Sequence, residues 1–159
     1  MKEVRTGIGY DAHRLVGGRR LILGGVDVAS EIGLQGHSDA DVLTHAVIDA
    51  MLGAAALGDI GEHFADDDPA YAGADSLALL REAATLVSDA GWAVANVDAT
   101  VLLERPKLGP HRVAMQANLA DAIGIEVSRV SVKATRGEGM GFVGRGEGAA
   151  ALAVATLQA

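Results

Sequence analysis

The run Asp41–Gly58, DVLTHAVIDAMLGAAALG, constrains the fold of this chain more than any other segment. Ser38 precedes it as an N-cap, with Asp41 three residues on and Gly58 closing the run. Asp39 and Asp41 put negative charge at the positive end of the helix dipole. Around this predicted helix the pattern changes period repeatedly. Val4–Tyr10 reads as a strand, and Leu21–Leu23 and Val26–Val28 read as a hairpin turned by Gly24-Gly25. An Asp-rich loop covers 59–75, and SLALLREAATLVSDA forms a second helix capped by Asp75 or Ser76 and stopped by Gly91. Asn96–Leu103 alternates as a half-buried strand, Pro110 opens a helix ending near Gly124, and Val130, Val132 and Ala134 mark another strand. A glycine-dense loop then leads into an Ala-rich stretch from about Gly148, expected to be a final helix. The predicted class is α+β: a single mixed β-sheet with helices packed on one face and an N-terminal hairpin, in one domain over 1–159. The uncovered sheet face calls for another subunit.

Composition sharpens this. Only 3% of residues are aromatic, against 30 alanines and 21 glycines, so the core must rest on aliphatic packing and close backbone approach. A net charge of −8 opposes nucleic acid and anionic membrane as partners. With no cysteine, thiolate metal sites and cysteine nucleophiles are excluded. No apolar run approaches the ~20 residues of a membrane helix, and the opening is too polar for a secretory signal, so a cytoplasmic location is expected. Gly139, Gly141 and Gly144 spell G-x-G-x-x-G, but the βαβ unit and following acid of a dinucleotide site are missing.

Chemistry concentrates in a few places. Asp11 and His13 stand two apart, so on a strand both side chains leave by the same face. His45 lies in the first turns of the long helix, and with them would complete two imidazoles and a carboxylate, a zinc set with one corner open to substrate. Ordinary hydrogen-bonded histidines would look the same at this spacing. His37 and Ser38 flank the helix start, where anions bind. Asp59–Asp68 reads either as a solvated acidic loop or as a polyol-binding one, and Arg105-Pro106-Lys107 either as a basic turn or as a ligand loop. Arg136, Glu138, Arg145 and Glu147 stand ready to hold an anion and a hard cation. An acidic protein needs divalent cations to bind a polyphosphate, which points to metal-assisted phosphorus chemistry.

The segments GIGYDAHRL, GLQGHSDADVLTHAVIDAMLGAAALGDIGEHFADDDPAYAGADS, NVDATVLLERPKLGPH and VKATRGEGMGFVGRGEG together resemble the 2-C-methyl-D-erythritol 2,4-cyclodiphosphate synthase family. The resemblance implies a homotrimer around a central cavity, with sites at subunit interfaces. The implied substrate is 4-diphosphocytidyl-2-C-methyl-D-erythritol 2-phosphate, cyclised with loss of CMP in the non-mevalonate route to isoprenoids. It places Asp11, His13 and His45 on Zn2+, and Glu138 on Mg2+ or Mn2+. His37 and Arg136 fall on catalytic positions, with Ser38 beside the phosphate. Asp59, Ile60 and Gly61 fall in a substrate loop, and Phe64, Ala65, Asp66, Asp67 and Asp68 at the methylerythritol pocket. Leu103, Glu104, Arg105, Pro106, Lys107, Leu108 and Gly109 match a cytidine loop. Thr135 and Gly137, on either side of Arg136, fall among the substrate-binding positions, as do Phe142 and Arg145, which face the central cavity. Two departures stand out: KATRGE replaces the usual K-A-T-T-T-E, and FADDD replaces F-P-D-T-D. A zinc phosphohydrolase and a non-catalytic diphosphate-binding trimer are the rival readings.

Overall fold

In the computed structural model, residues 3–159 are described. The first strand, β1 (Val4–Gly17), is followed by β2 (Leu21–Leu23), β3 (Val26–Val28) and β4 (Ile32–Leu34). Then come α1 (Val42–Ala54), α2 (Ile60–His63), α3 (Ser76–Asp89), β5 (Ala93–Leu102), α4 (Arg112–Ile123), β6 (Val130–Thr135), α5 (Gly141–Gly144) and β7 (Gly148–Gln158). Five strands make one mixed sheet in the order β4-β1-β7-β5-β6, parallel only between β5 and β6. The expected mixed sheet with helices to one side is present, with two corrections. The first strand, expected over Val4–Tyr10, runs on to Gly17. The β2–β3 pair, turned at Gly24 (φ 55°) and Gly25 (φ 70°), forms a separate two-stranded sheet.

The expected final helix is the strand β7, central in the sheet between β1 and β5. Alanine favours helix in isolation, but tertiary packing overrides that preference here. Ala149, Ala151, Ala153 and Ala155 are buried beneath α1, while Leu152 and Val154 alternate with them on the opposite face. Along Ala149–Ala155 only small side chains fit on the inner face because α1 lies almost on the backbone of the sheet there, whereas Leu157 further along is a buried leucine. A Cβ built at Gly7 would collide with Ala50 and Ala54, and one at Gly9 with the Ala46 carbonyl. The glycine and alanine abundance is therefore the means by which a helix approaches a sheet this closely. Gly9→Ala is expected to cost about 3 kcal/mol by overpacking. Urea unfolding would read this, with Gly17→Ala, where a Cβ meets nothing within 4 Å, as the near-neutral control.

The long helix begins and ends inside its expected bounds. Ala40 adopts a left-handed φ of 55°, which bars helix before it, so Asp41 and not Ser38 is the N-cap. The buried Asp41 carboxylate accepts from the Thr44 amide at 3.0 Å and its hydroxyl at 2.7 Å. It also accepts from the Gly24 and Gly25 amides at 2.9 Å each, pinning the β2–β3 turn to the start of α1. At the other end Ala56 (φ 57°) stops the helix before Gly58. Of the two caps the sequence offers for α3, Asp75 and Ser76, it is Asp75 that caps, and Gly124 closes α4 in the left-handed region as the sequence predicts. The outer face of the sheet stays uncovered: Ile8 is 72% and Tyr10 53% exposed, with Leu152 and Val154 beside them in register.

Candidate metal centre

The strand β1 runs on past Tyr10, so Asp11 and His13 sit within it and project from the face that α1 covers. His45, one turn into α1, meets them there. One ligand atom from each of the three lies within 4.8 Å of the others. The Asp11 Oδ2 atom is 3.0 Å from His45 Nδ1 and 3.2 Å from His13 Nε2. The far nitrogens are already engaged. His13 Nδ1 is 2.7 Å from the Gln35 carbonyl and so donates to it, while His45 Nε2 is 2.7 Å from the Ser76 hydroxyl. That leaves His13 Nε2, His45 Nδ1 and Asp11 Oδ2 aimed at one point, the arrangement in which imidazoles ligate metal.

Electrostatics agree. Burial pushes the Asp11 carboxyl up, but hydrogen bonds and charge from His13 and His45 outweigh it and hold it at about 2, below the usual 3.8. The His13 ring is pushed up from 6.5, chiefly by its hydrogen bond to Asp11 and against the effect of burial. A proton shared between Asp11 and His13 therefore competes with a metal for this point.

The triad opens on a cavity of about 320 Å³. His37 and Ser38 line it from the loop before α1, and Ile60, Gly61, Phe64, Ala65 and Asp66 from α2 and the turn beyond. Tyr71 and Leu79 complete the wall; neither stands out in the sequence, where they read as loop and core. Phe64 is fixed edge-on against Tyr71 with centroids 5.7 Å apart. Three predicted residues work elsewhere. Asp59 is the N-cap of α2, accepting from Glu62 N at 3.0 Å. Asp68 caps the turn at Ala70, and its carbonyl accepts from His37 Nε2 at 2.8 Å. Asp67 lies outside the lining.

A second cavity, of about 290 Å³, gathers Leu103, Pro106, Lys107, Leu108, Gly109, Thr135 and Arg136, with Arg112 as an unpredicted cationic neighbour. Glu104 turns inward instead, and its carboxylate accepts from Gly137 N at 2.8 Å. Arg105 and Glu138 are exposed and line neither cavity. A Cβ on Gly137 would strike the Gly144 backbone, so the departure from the usual threonine goes with a loop closed tightly on this position. The two cavities share no residue; β1 and β6 are three strand spacings apart, about 14 Å. Phe142 borders a third hollow with Tyr10 and His13, while Arg145 pairs with Glu147 at 3.1 Å.

Fold and site thus define an α+β protein with a cluster of two histidines and one aspartate able to hold a metal ion, at the mouth of a cavity. The chain belongs to the YgbB family, which matches residues 4–158. It is 58% identical over 154 residues to 2-C-methyl-D-erythritol 2,4-cyclodiphosphate synthase of Trichlorobacter lovleyi, covering 97% of this chain and 98% of that one. A solved structure of 2C-methyl-D-erythritol-2,4-cyclodiphosphate synthase in a CDP-bound form superposes with TM-score 0.88 at 39% identity, over 96% of this chain and 99% of the other. The bifunctional IspDF of Campylobacter jejuni matches with TM-score 0.96 at 42% identity; 99% of this chain is covered, and it spans 43% of that protein's length. No helix among the described residues is long and apolar enough to cross a membrane.

Proposed function

We propose that this chain is an enzyme that cyclises 4-diphosphocytidyl-2-C-methyl-D-erythritol 2-phosphate to 2-C-methyl-D-erythritol 2,4-cyclodiphosphate, releasing CMP, in cytoplasmic isoprenoid precursor synthesis. The single observation that carries this is the convergence of three ligand atoms, within 4.8 Å, at the mouth of a cavity built from the family's segments. Two nitrogens and one oxygen suit zinc, and Glu138, exposed and outside both cavities of the single chain, would offer a hard oxygen for magnesium or manganese in a site completed by a neighbour. When bound, these cations contribute positive charge at the phosphoryl oxygens.

A 2-phosphate oxygen forms a bond to the β-phosphorus, and the bond to the CMP oxygen breaks, with CMP carrying off the electron pair. The attacking oxygen is already anionic, so no side chain has to remove a proton. The residues chiefly position and neutralise. His37 and Ser38 lie where the β-phosphate would sit, and the Phe64–Asp66 wall meets the methylerythritol. The Leu103–Gly109 loop takes the cytidine, and Arg136 presents a cation in place of the family's threonine hydroxyl. Holding both reacting groups of one molecule together can contribute up to ~7–11 kcal/mol. Because the two cavities are separate in one chain, the complete site forms between neighbouring subunits of a trimer, whose contacts cover the open face bearing Ile8 and Tyr10.

Turnover in oxygen-18 water tests the reaction. CMP with an unlabelled cyclic product is the expected outcome. A labelled linear product would assign the chain to the zinc phosphohydrolases, and absence of CMP would leave only a diphosphate-binding trimer.

A further inference from the structure

Behind the metal centre lies a buried chain of hydrogen bonds that runs away from the cavity. The Ser76 side chain is fully buried, and its hydroxyl stands 2.7 Å from His45 Nε2 and within hydrogen-bond contact of Asp39 Oδ1. The other Asp39 oxygen accepts from the Ser76 amide at 3.0 Å, and Asp39 N donates to the Ala74 carbonyl at 3.1 Å. A carboxylate only accepts, so the Ser76 hydroxyl proton must point to Asp39. The serine oxygen is then left to accept, and the proton it accepts is the one on His45 Nε2. On a neutral ring that placement leaves Nδ1 without hydrogen, while the Asp11 carboxylate, 3.0 Å from Nδ1, draws a proton to the other side, so the relay and Asp11 oppose each other until a cation lies between Nδ1 and Asp11.

We propose that Ser76 and Asp39 are positioning residues for metal binding: their relay holds His45 in the tautomer and orientation that present Nδ1 to the cation. The inference rests on the reading of Asp11, His13 and His45 as a metal centre. Helix capping accounts for part of what Asp39 does, since it takes the Ser76 amide and the Asp41 amide at 3.2 Å, but not for the Ser76 hydroxyl set against His45, because Asp75 already caps α3 by accepting from Leu77 N at 3.0 Å. The Ser38 hydroxyl, 3.3 Å from the same nitrogen, is the longer contact and is also shared with Ala40 N. Partners of this kind, on the far nitrogen of a ligating imidazole, typically change metal affinity by about 10–100-fold.

Asp39→Asn reverses the relay at nearly constant shape. Its oxygen keeps the Ser76 amide, its NH2 donates to the Ser76 oxygen, and the hydroxyl proton turns to His45 Nε2, forcing hydrogen onto Nδ1. The test combines zinc titration against a chromophoric chelator with 15N NMR of the His45 ring in the zinc-loaded chain. Wild type is expected to bind zinc and, once loaded, to carry its proton on Nε2. Asp39→Asn and Ser76→Ala are expected to bind zinc about 10–100-fold more weakly. Variants within twofold of a tightly binding wild type, or a zinc-loaded wild-type ring with its proton on Nδ1, would overturn the relay alone. A wild-type chain that takes up no zinc would overturn the metal centre and the relay together.

Discussion

His45→Ala is expected to abolish zinc binding and turnover together. The alanine removes the Nδ1 donor and leaves Asp11 and His13, two ligands where a catalytic zinc site takes three from the protein. Without the cation, the cavity has to accept two phosphoryl groups beside Asp11 and Asp66 on a chain of net charge −8. Losing about 4 kcal/mol of charge stabilisation corresponds to a fall on the order of 10³-fold in rate. Zinc content by atomic absorption and CMP release on the same preparation check it, and an active zinc-free variant would refute the scheme. Chelation of the wild type should reproduce the loss, and added zinc should reverse it. Acid should do the same as chelation. The pair formed by Asp11, held low, and His13, pushed up, retains its proton to a higher pH than a free histidine would. Zinc affinity should therefore begin to fall on acidification from above pH 6.5, the ordinary value for His13.

Leu152→Asp is expected to break the assembly while sparing the metal centre. Leu152 sits on the open face between Tyr10 on β1 and Thr100 on β5. Burying such a side chain at an interface contributes about 1.5–3 kcal/mol, and a buried unpaired carboxylate in its place costs several more. Symmetry applies the change once in every subunit. Analytical ultracentrifugation should show a shift from three chain masses to the 16.2 kDa monomer. Turnover should collapse because the cavity beneath Arg136 no longer meets a neighbour's triad. Zinc affinity should stay near the wild-type value, since all three ligands come from one chain. A variant that remains trimeric and active would show that the open face is not the contact surface.

The contrast between β7 and the triad shows where local pattern stops being informative. Asp11 and His13 could be placed on one face because strand alternation is a property of the backbone alone. The pair of glycines at 24 and 25 could be read as a turn because positive φ is a property of glycine. In β7 the alternation is also present, but inverted: alanines face the core and Leu152 and Val154 face out. A reading by propensity sees helix, since nothing local reveals that α1 approaches too closely for larger residues. The same holds for the start of α1, where the Gly24 and Gly25 amides, 17 and 16 residues away, draw Asp41 into the capping role in place of Ser38.

What could be learned from order along the chain was chemistry: which residues are able to ligate, that Gly124 closes a helix, and that small side chains dominate the packing. Depth and company came from folding. Ser76 reads as one more helix-start serine until α3 docks against α1 and sets its hydroxyl against His45, 31 residues distant. Glu104 likewise reads as part of a ligand loop until Gly137 N claims its carboxylate. Side-chain identity is written locally, whereas the partner of a buried polar atom is set by which distant backbone arrives beside it, and that depends on packing across the whole sheet.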